Sequence, residues 1–590
     1  MAKKKKKANK GKSKGAAKKV NTKVKVKKTG TSKKKTQVKS APKKGPRKVS
    51  KKVTKEAKKK IISIHTLKNR LASTLLILGA VLVMVFIANF LVQRILSPVQ
   101  IAEILPEENT TLMMEFDLTK ALGDGGELKE ITNKEGLDLD SFVTLVEESL
   151  DADFETEIKP WLGYKHGYAL LETEDEEGVN SYEHVIFVQS IDRDATLEFL
   201  QAFQLESQKD NLVTEKYNNY SIYSFEVGQN VNFMIFDKYF VFARSDRALK
   251  TIVDVHMGEV EALAKSGEFL KVRNNLKRDI GFVYYVPPRL FEYYIGENPT
   301  SSSSIIQPVI SLFDSQGHSL FLDDNALIVQ TYMNFTTDGG AGKKLSNLSS
   351  HYKGDLLDVM PENYEYFWGS RNLSQMITDL GGVLNSLHPS SFNIFEGILN
   401  AKKEQYFGYE VDLRDDVYRV FEGEFALALY SEPDYINYLF IAEDQDPDHM
   451  AKLQALYLEQ MKQRGYMVLP EETSEEGEVA PETELEISVF PYDAHTNVYT
   501  TTRDGVLLLS TDRKLIVAAV DNLTESSSNK NKAKINSYLK DFDEVNIMSP
   551  AFMGELLGGK VASFLNNFTS VQAAKKIFLD GVAIVHVFEF

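Results

Sequence analysis

The chain contains 590 residues, of which 43% are hydrophobic and 26% are charged, and its formal net charge is −13. This net charge conceals two opposite parts, because residues 1–70 carry 30 Lys and Arg against the single acid Glu56, whereas residues 71–590 carry 40 basic and 82 acidic residues. No cysteine is present, which excludes disulfides, thiolate metal sites, a cysteine nucleophile and a lipid-modified cysteine anchor. An exported chain without disulfides must be stabilised by core packing, which favours a bacterial cell envelope.

Residues 1–58 are dominated by Lys with Gly, Ser, Thr and Pro, and they contain almost nothing that could form a core. This composition predicts a disordered cytoplasmic tail. Its expected partners are anionic lipid head groups, because each Lys near an anionic membrane surface is worth about 1 kcal/mol. Nonspecific binding of nucleic acid is the alternative, since polybasic segments also neutralise phosphates. Residues 59–70 form a basic juxtamembrane segment.

Residues 71–93 form an uncharged stretch that is bounded by Arg70 and Arg94. As a helix rising about 1.5 Å per residue, the stretch would extend roughly 34 Å, slightly more than the roughly 30 Å hydrocarbon core of a bilayer. A cleaved signal peptide is the competing interpretation, but it would have a shorter apolar core and a small-residue cleavage site. We therefore predict a single transmembrane helix that places the basic tail in the cytoplasm and everything after Arg94 outside it.

Residues 99–340 have the pattern of a folded protein and predict a first extracytoplasmic α+β repeat. Apolar runs between polar turns indicate strands, and apolar residues at helical spacing behind Asp indicate helices. The predicted elements, in chain order, are a strand at 110–118, a helix at 140–150, a strand pair at 167–172 and 184–190, a helix at 194–203, strands at 220–225 and 231–244 with a turn at Asp237-Lys238, a helix at 246–255 and a strand at 280–286.

The same order recurs in residues 359–590, which predict a second extracytoplasmic α+β repeat after a linker at 341–358. In the clearest pair, residues 234–253 and 500–520 both contain two strands around a charged turn and then Ser-Asp-Arg or Thr-Asp-Arg before a helix. Because hairpins dominate and helices recur between them, each repeat should be a mostly antiparallel sheet with helices packed on one face.

Three sequence runs carry a resemblance to a known family: YFVFARSDRAL at 239–249, SGEFLKV at 266–272 and GFVYYV at 281–286. Together with the Leu-Pro turn into the first strand, they resemble the bacterial domain of unknown function family 3352, over most of residues 104–300 and more weakly over 359–556. The second copy departs from the family pattern at an acidic insertion. The resemblance implies a membrane-anchored or exported protein and brings no catalytic residue with it.

The sequence lacks the common nucleophile, zinc-protease and phosphate-binding motifs. Asp444, Asp446 and Asp448 begin like a calcium loop, but its sixth and twelfth positions are His449 and Ala455 where Gly and Glu are needed. A helix cap after a strand is therefore the favoured interpretation of this cluster.

Other residue types with possible chemistry have structural explanations. His166 and His184 flank the predicted strand pair and could approach each other across it, but surface or core histidines are more common. Trp161 and Trp368 are expected to pack in cores. We therefore predict no catalytic, cofactor-binding or metal-binding residue, and no small-molecule substrate is identified.

These observations predict a non-enzymatic binding or structural module of the cell envelope, anchored in the lipid bilayer and facing an unknown envelope protein or polymer. Two alternatives remain open. One is an envelope hydrolase whose carboxylates converge from distant segments and have raised pKa values. The other is a polybasic tether that links nucleic acid to the membrane.

Overall fold

The structure is a computed structural model. It describes residues 100–590 except 118–152, 175–179, 200–211, 226–230, 278–279, 296–306, 308–309, 324–325, 337–351, 388, 433–434, 444–445, 465–486, 492–495, 525–534, 540–541, 558–564 and 566–567. The predicted tail, juxtamembrane segment and transmembrane helix lie outside the described residues. Contacts divide the chain into one unit, Met1–Arg94, and a second compact unit, Ile95–Phe590. Within the described ranges, no helix is both long enough and apolar enough to cross a membrane.

The second unit is α+β, as predicted, and it contains a 19-stranded sheet in which every strand pairing is antiparallel. The strands are β1 Thr110–Asp117, β2 Leu162–Glu174, β3 Asn180–Ser190, β4 Leu212–Tyr217, β5 Tyr220–Phe225, β6 Val231–Phe236, β7 Tyr239–Ala243, β8 Gly281–Tyr285, β9 Phe313–Asp323, β10 Ala326–Phe335, β11 Tyr366–Arg371, β12 Glu424–Ser431, β13 Ile436–Glu443, β14 Ser488–Pro491, β15 Asn497–Arg503, β16 Val506–Ser510, β17 Glu544–Met548, β18 Ser570–Ile577 and β19 Gly581–Glu589.

The labelled α-helices of the described residues are α1 Asp246–Met257, α2 Gly267–Asn275, α3 Pro287–Ile295, α4 Leu373–Leu387, α5 Pro389–Phe407, α6 Pro447–Gln463, α7 Arg513–Thr524 and α8 Pro550–Leu557. Residues 193–199 are also helical. This last helix begins one residue earlier than predicted because Asp192, and not Asp194, caps it: Asp192 Oδ1 accepts the N–H groups of Asp194 and Ala195. The predicted helix at 140–150 lies outside the described residues.

The hairpins form where the turn residues allow them. β4 and β5 are joined by Asn218-Asn219, and β15 and β16 by Asp504-Gly505, and all four of these residues have positive φ. Two-residue hairpin loops of this kind need positive φ, which Asn, Asp and Gly adopt at least cost. The predicted strand pair and the predicted turn at Asp237-Lys238 are confirmed in β2–β3 and β6–β7.

The order of strands across the sheet is set by pairings between distant segments. From one edge to the other it is β4-β5-β6-β7-β3-β2-β1-β8-β9-β10-β19-β18-β17-β11-β12-β13-β16-β15-β14. Residues 110–335 supply the strands up to β10, and residues 366–589 supply the rest. The two sets meet at β10 and β19, whose nine residue pairs run from Ala326–Glu589 to Asn334–Gly581.

Helices pack on both faces of this sheet. On the first, face A, Leu249 of α1 and Ile516 of α7 lie in the two main cores. On the opposite side, face B, Tyr457 of α6 meets Phe490 of β14 with ring centroids 5.5 Å apart. The prediction that helices pack on one face is therefore wrong. Strands such as β16, with the sequence VLLLS, are apolar at consecutive positions, so both of their sides require cover.

Part of the predicted linker at 341–358 is folded. Residues Asp355–Val359 form a short 3-10 helix, and Leu356 and Leu357 are buried in the core under β11 and β12. The carboxylate of Glu424, itself buried, accepts the N–H groups of Lys353 and Leu356. This segment therefore belongs to the folded unit and not to a linker, because a long-range contact to β12 satisfies two of its backbone N–H groups.

Candidate functional site: an apolar cavity on face B

A cavity of about 300 Å³ lies on face B between strands β14–β16 and a layer formed by α5, α6 and the turn before β12. The strand side of the cavity is lined by Phe490, Val498, Thr500, Leu507 and Leu509. The helix side is lined by Tyr406, Phe407, Val417, Val420, Phe421, Met450, Leu453, Gln454 and Tyr457. None of these described lining residues is charged.

The periodicities of two elements create this lining. In β16, Leu507 and Leu509 face the cavity, whereas Leu508 between them belongs to the face A core. In α6, the cavity residues Met450, Leu453, Gln454 and Tyr457 recur at i, i+3, i+4 and i+7, which is the spacing of one helix face. The cavity therefore lies where an amphipathic helix faces a doubly buried strand.

Aromatic rings hold the helix side in place. Tyr457 stacks on Tyr406 with centroids 6.2 Å apart, and it also contacts Phe407 at 6.0 Å. Phe421 meets Phe440 of β13 edge to face at 5.5 Å. Aromatic pairs at these separations contribute roughly 0.5–1.5 kcal/mol beyond their buried area, so aromatic packing helps to fix the walls.

One hydroxyl of the cavity lining is unsatisfied. Thr500 is 1% exposed, and its Oγ1 has no hydrogen-bond partner among the described residues. The amide of Gln454 is the other polar side chain apart from the tyrosine hydroxyls. The described lining contains no carboxylate, histidine or lysine that could activate its threonine and tyrosine hydroxyls. Its composition suits an apolar ligand.

A second, larger groove has both charged and apolar side chains in its lining. It measures about 1030 Å³ and lies beside the start of α7, lined by Asp512, Arg513, Lys514 and Asp521 among others. Asp512 Oδ1 accepts the N–H of Lys514 at 2.8 Å, which caps the helix. Charges of both signs face this groove, and its described lining contains no histidine. Among the described residues, this groove therefore has no field of one sign.

Two further groups of buried titratable residues lie elsewhere in the sheet. Burial raises the pKa of the Glu424 carboxyl, although two backbone N–H groups donate to it. On face B near the β10–β19 junction, burial lowers the pKa of His318 and of His586. His318 Nδ1 lies 2.7 Å from Thr331 Oγ1, so this histidine is held by neighbouring strands. Neither group lines the cavity or the groove.

The residues that the sequence singled out remain apart. Asp446 caps α6 by accepting the N–H of His449, which confirms the helix-cap interpretation, and Asp444 lies outside the described residues. His184 Nδ1 forms a hydrogen bond with the Tyr168 hydroxyl at 2.6 Å. His166 lies opposite Val188, further along the β2–β3 hairpin, so the two histidines are not in contact. Nowhere in the described ranges do three His, Asp or Glu side chains cluster as metal ligands.

Both tryptophans take part in packing. Trp161 is buried, donates its Nε1–H to the carbonyl of Glu157 and packs on Phe199. Trp368 packs edge to face on Phe425 at 5.1 Å. Sequence analysis missed the apolar cavity. Its only signal was the apolar stripe of α6, which is equally typical of a helix packed on a core.

Comparison with known proteins gives one family. The family described as "Protein of unknown function (DUF3352)" matches residues 71–480. No curated protein matches the sequence. Crystal forms I, IV and III of TP0453 match with TM-scores of 0.22, 0.23 and 0.23 and identities of 9%, 10% and 9%. These matches cover 41%, 40% and 43% of this chain and 81%, 81% and 89% of the TP0453 chains. Similarity at this level supports no conclusion about ligand or role. The family match spans more than half of the chain, and the chain belongs to the DUF3352 family of proteins of unknown function.

Proposed function

We propose that the chain is a single-pass membrane protein whose extracytoplasmic part is a non-enzymatic binding module. The apolar cavity on face B carries the proposal, because it is a preformed apolar site whose described lining residues are all uncharged. Among the described residues, no arrangement of nucleophile, base and oxyanion donors lines it, which favours binding over catalysis. The hydrolase alternative finds no support in the described residues, since Glu424, whose carboxyl pKa is raised, is occupied by backbone N–H groups.

The charge division of the sequence supports the membrane topology. Residues 1–70 are strongly basic and precede the uncharged stretch 71–93, and Lys and Arg beside a spanning helix are retained in the cytoplasm. The family match begins at residue 71, the first residue of this stretch, so the stretch is part of the family pattern. Anionic lipid or nucleic acid as the partner of the Lys-rich tail stays a prediction.

The proposal includes an origin of the module in two tandem copies. In the first half of the sheet, β1 has β8, β9 and β10 on one side and β2, β3, β7, β6 and β5 on the other, in that order. The same order recurs in the second half, where β11 has β17, β18 and β19 on one side and β12, β13, β16, β15 and β14 on the other. Only β4 lacks a counterpart among the described strands. Because this order depends on long-range pairings, its recurrence supports duplication more strongly than sequence similarity does.

Cysteine labelling tests the topology, since the natural chain has no cysteine to interfere. Leu579 lies in the β18–β19 turn and is 88% exposed, so Leu579→Cys presents a thiol on the proposed outside. Ser40→Cys presents one in the Lys-rich tail. In protoplasts, a membrane-impermeant maleimide should label Leu579→Cys at once and Ser40→Cys only after permeabilisation. Equal labelling of both variants, or the reverse order, would contradict the proposed topology.

A further inference from the structure

We propose that the apolar cavity on face B holds one straight hydrocarbon chain, the acyl chain of a membrane lipid. This inference rests on the proposed function and assigns a ligand class to its site. Three observations support it: the size and lining of the cavity, the surface of its covering helix, and the short connection to the uncharged stretch.

The cavity matches a single chain in size. At about 300 Å³ it lies at the small end of the range of about 300–1,000 Å³ that is typical of ligand pockets. Apart from Gln454 and Thr500, its described walls are leucine, valine, methionine and aromatic side chains, and none of them is charged. A charged or strongly hydrated ligand would lose its solvation there without compensation.

Helix α5 covers part of the cavity and also exposes two isoleucines. Tyr406 and Phe407 at its end line the cavity. On its outer side, Ile394 and Ile398 lie one turn apart and are 64% and 56% exposed. A surface helix of a protein in water normally keeps its outer side polar. Isoleucines on the outer side are expected of a helix that meets apolar molecules from outside, as a lipid-contacting helix does.

The source of the chain is close in sequence. Only residues 94–99 lie between the uncharged stretch and the first described residue, Gln100. Six fully extended residues reach at most roughly 22 Å. If residues 71–93 span a bilayer, acyl chains therefore lie within this reach of Gln100.

Photochemical cross-linking tests this assignment on the full chain. The protein would be reconstituted into phosphatidylcholine vesicles that contain a small fraction of phosphatidylcholine with a diazirine at the end of one acyl chain. After irradiation, mass spectrometry of peptides locates the adducts. We expect adducts on peptides from α6 and from β15–β16, in addition to adducts on residues 71–93, which serve as an internal control for membrane insertion.

Filling the cavity should abolish the adducts on α6 and β15–β16 peptides and leave those on residues 71–93. Leu453→Trp adds bulk to the helix side, and Leu509→Phe adds less bulk to the strand side in case the first variant does not fold. Met257→Trp adds the same ring at an exposed position of α1 and is the matched control. Circular dichroism would establish that each variant is folded. We expect loss of cavity adducts in folded filling variants and wild-type adducts in Met257→Trp.

The outcomes separate the ligand assignment from the membrane topology. Adducts on residues 71–93 without any on cavity peptides would overturn the ligand assignment and leave the membrane anchor intact. Absence of adducts at both places would overturn both. Cavity adducts that persist in a folded Leu453→Trp variant would show that the chain lies elsewhere. If an unlabelled prenyl alcohol competes with the labelled lipid for the cavity and a straight-chain fatty alcohol does not, the assigned ligand would be an isoprenoid and not an acyl chain.

Discussion

The junction of β10 and β19 makes the two halves of the sheet depend on each other, and Ile328→Ala tests this dependence. Ile328 belongs to β10 in the first half of the chain, but it is 0% exposed and packs in a core built mainly from residues after 350. Its partner across the junction is Val587 of β19. The substitution removes three carbon atoms, at roughly 0.8 kcal/mol each for transfer from water, and the cavity left behind brings the total cost to about 2–5 kcal/mol.

The two tryptophans report the two halves separately. Trp161 lies beside β2 and Trp368 in β11, and the sequence has no other tryptophan. In Trp368→Phe and Trp161→Phe backgrounds, denaturant unfolding followed by fluorescence would measure each half in turn. Ile328→Ala should lower the unfolding midpoint in both backgrounds. Val329→Ala, at the adjacent half-buried position, is the control and should have a smaller effect. A shift in the Trp161 signal alone would refute the junction.

Three further substitutions give distinct signatures. Because burial raises the pKa of Glu424, the folded chain holds this proton more tightly than the unfolded chain, so stability should fall as pH rises above about 4.5, and Glu424→Gln should flatten this slope in unfolding midpoints. Burial, with His586 as a second cause, lowers the pKa of His318, so stability should fall as pH drops below 6.5, and His318→Gln should flatten that opposite slope. Thr500→Val removes a buried hydroxyl without a partner in the described residues, so it should stabilise the protein by about 1 kcal/mol in denaturant titration; a loss of stability would show that the hydroxyl is bonded.

Local elements of this fold were predictable from the sequence because their signals are local. The alternation and turn residues around Asp237 and Asp504 identified two hairpins. The apolar spacing behind Ser245 identified α1, whose N-terminus this side chain caps by accepting the N–H of Ala248. Asp446 was identified as a cap because the calcium-loop pattern failed at its sixth and twelfth positions. In each case the decisive contacts lie within a few residues of one another.

The long-range features were not predictable in this way. Nothing in the sequence of β10 or β19 specifies that these strands pair with each other across about 250 residues, since many apolar strands could pair in that position. The folded end of the linker depends on Glu424, which is about 70 residues away along the chain. The helices on face B had one available signal, the consecutive apolar residues of β16, which indicate a strand covered on both sides. The cavity depends on how α6 packs against that strand, and the apolar stripe of α6 does not show whether the helix touches the strand directly or leaves a cavity between them.

The most direct test of the central claim is an experimental structure of the full chain in lipid nanodiscs. We expect residues 71–93 to form a helix across the disc. We also expect an elongated, chain-like density between α6 and β14–β16, in contact with Leu453 and Leu509. Side chains that close the space between these elements, or an ordered cavity without such density beside a well-defined α6, would contradict the claim.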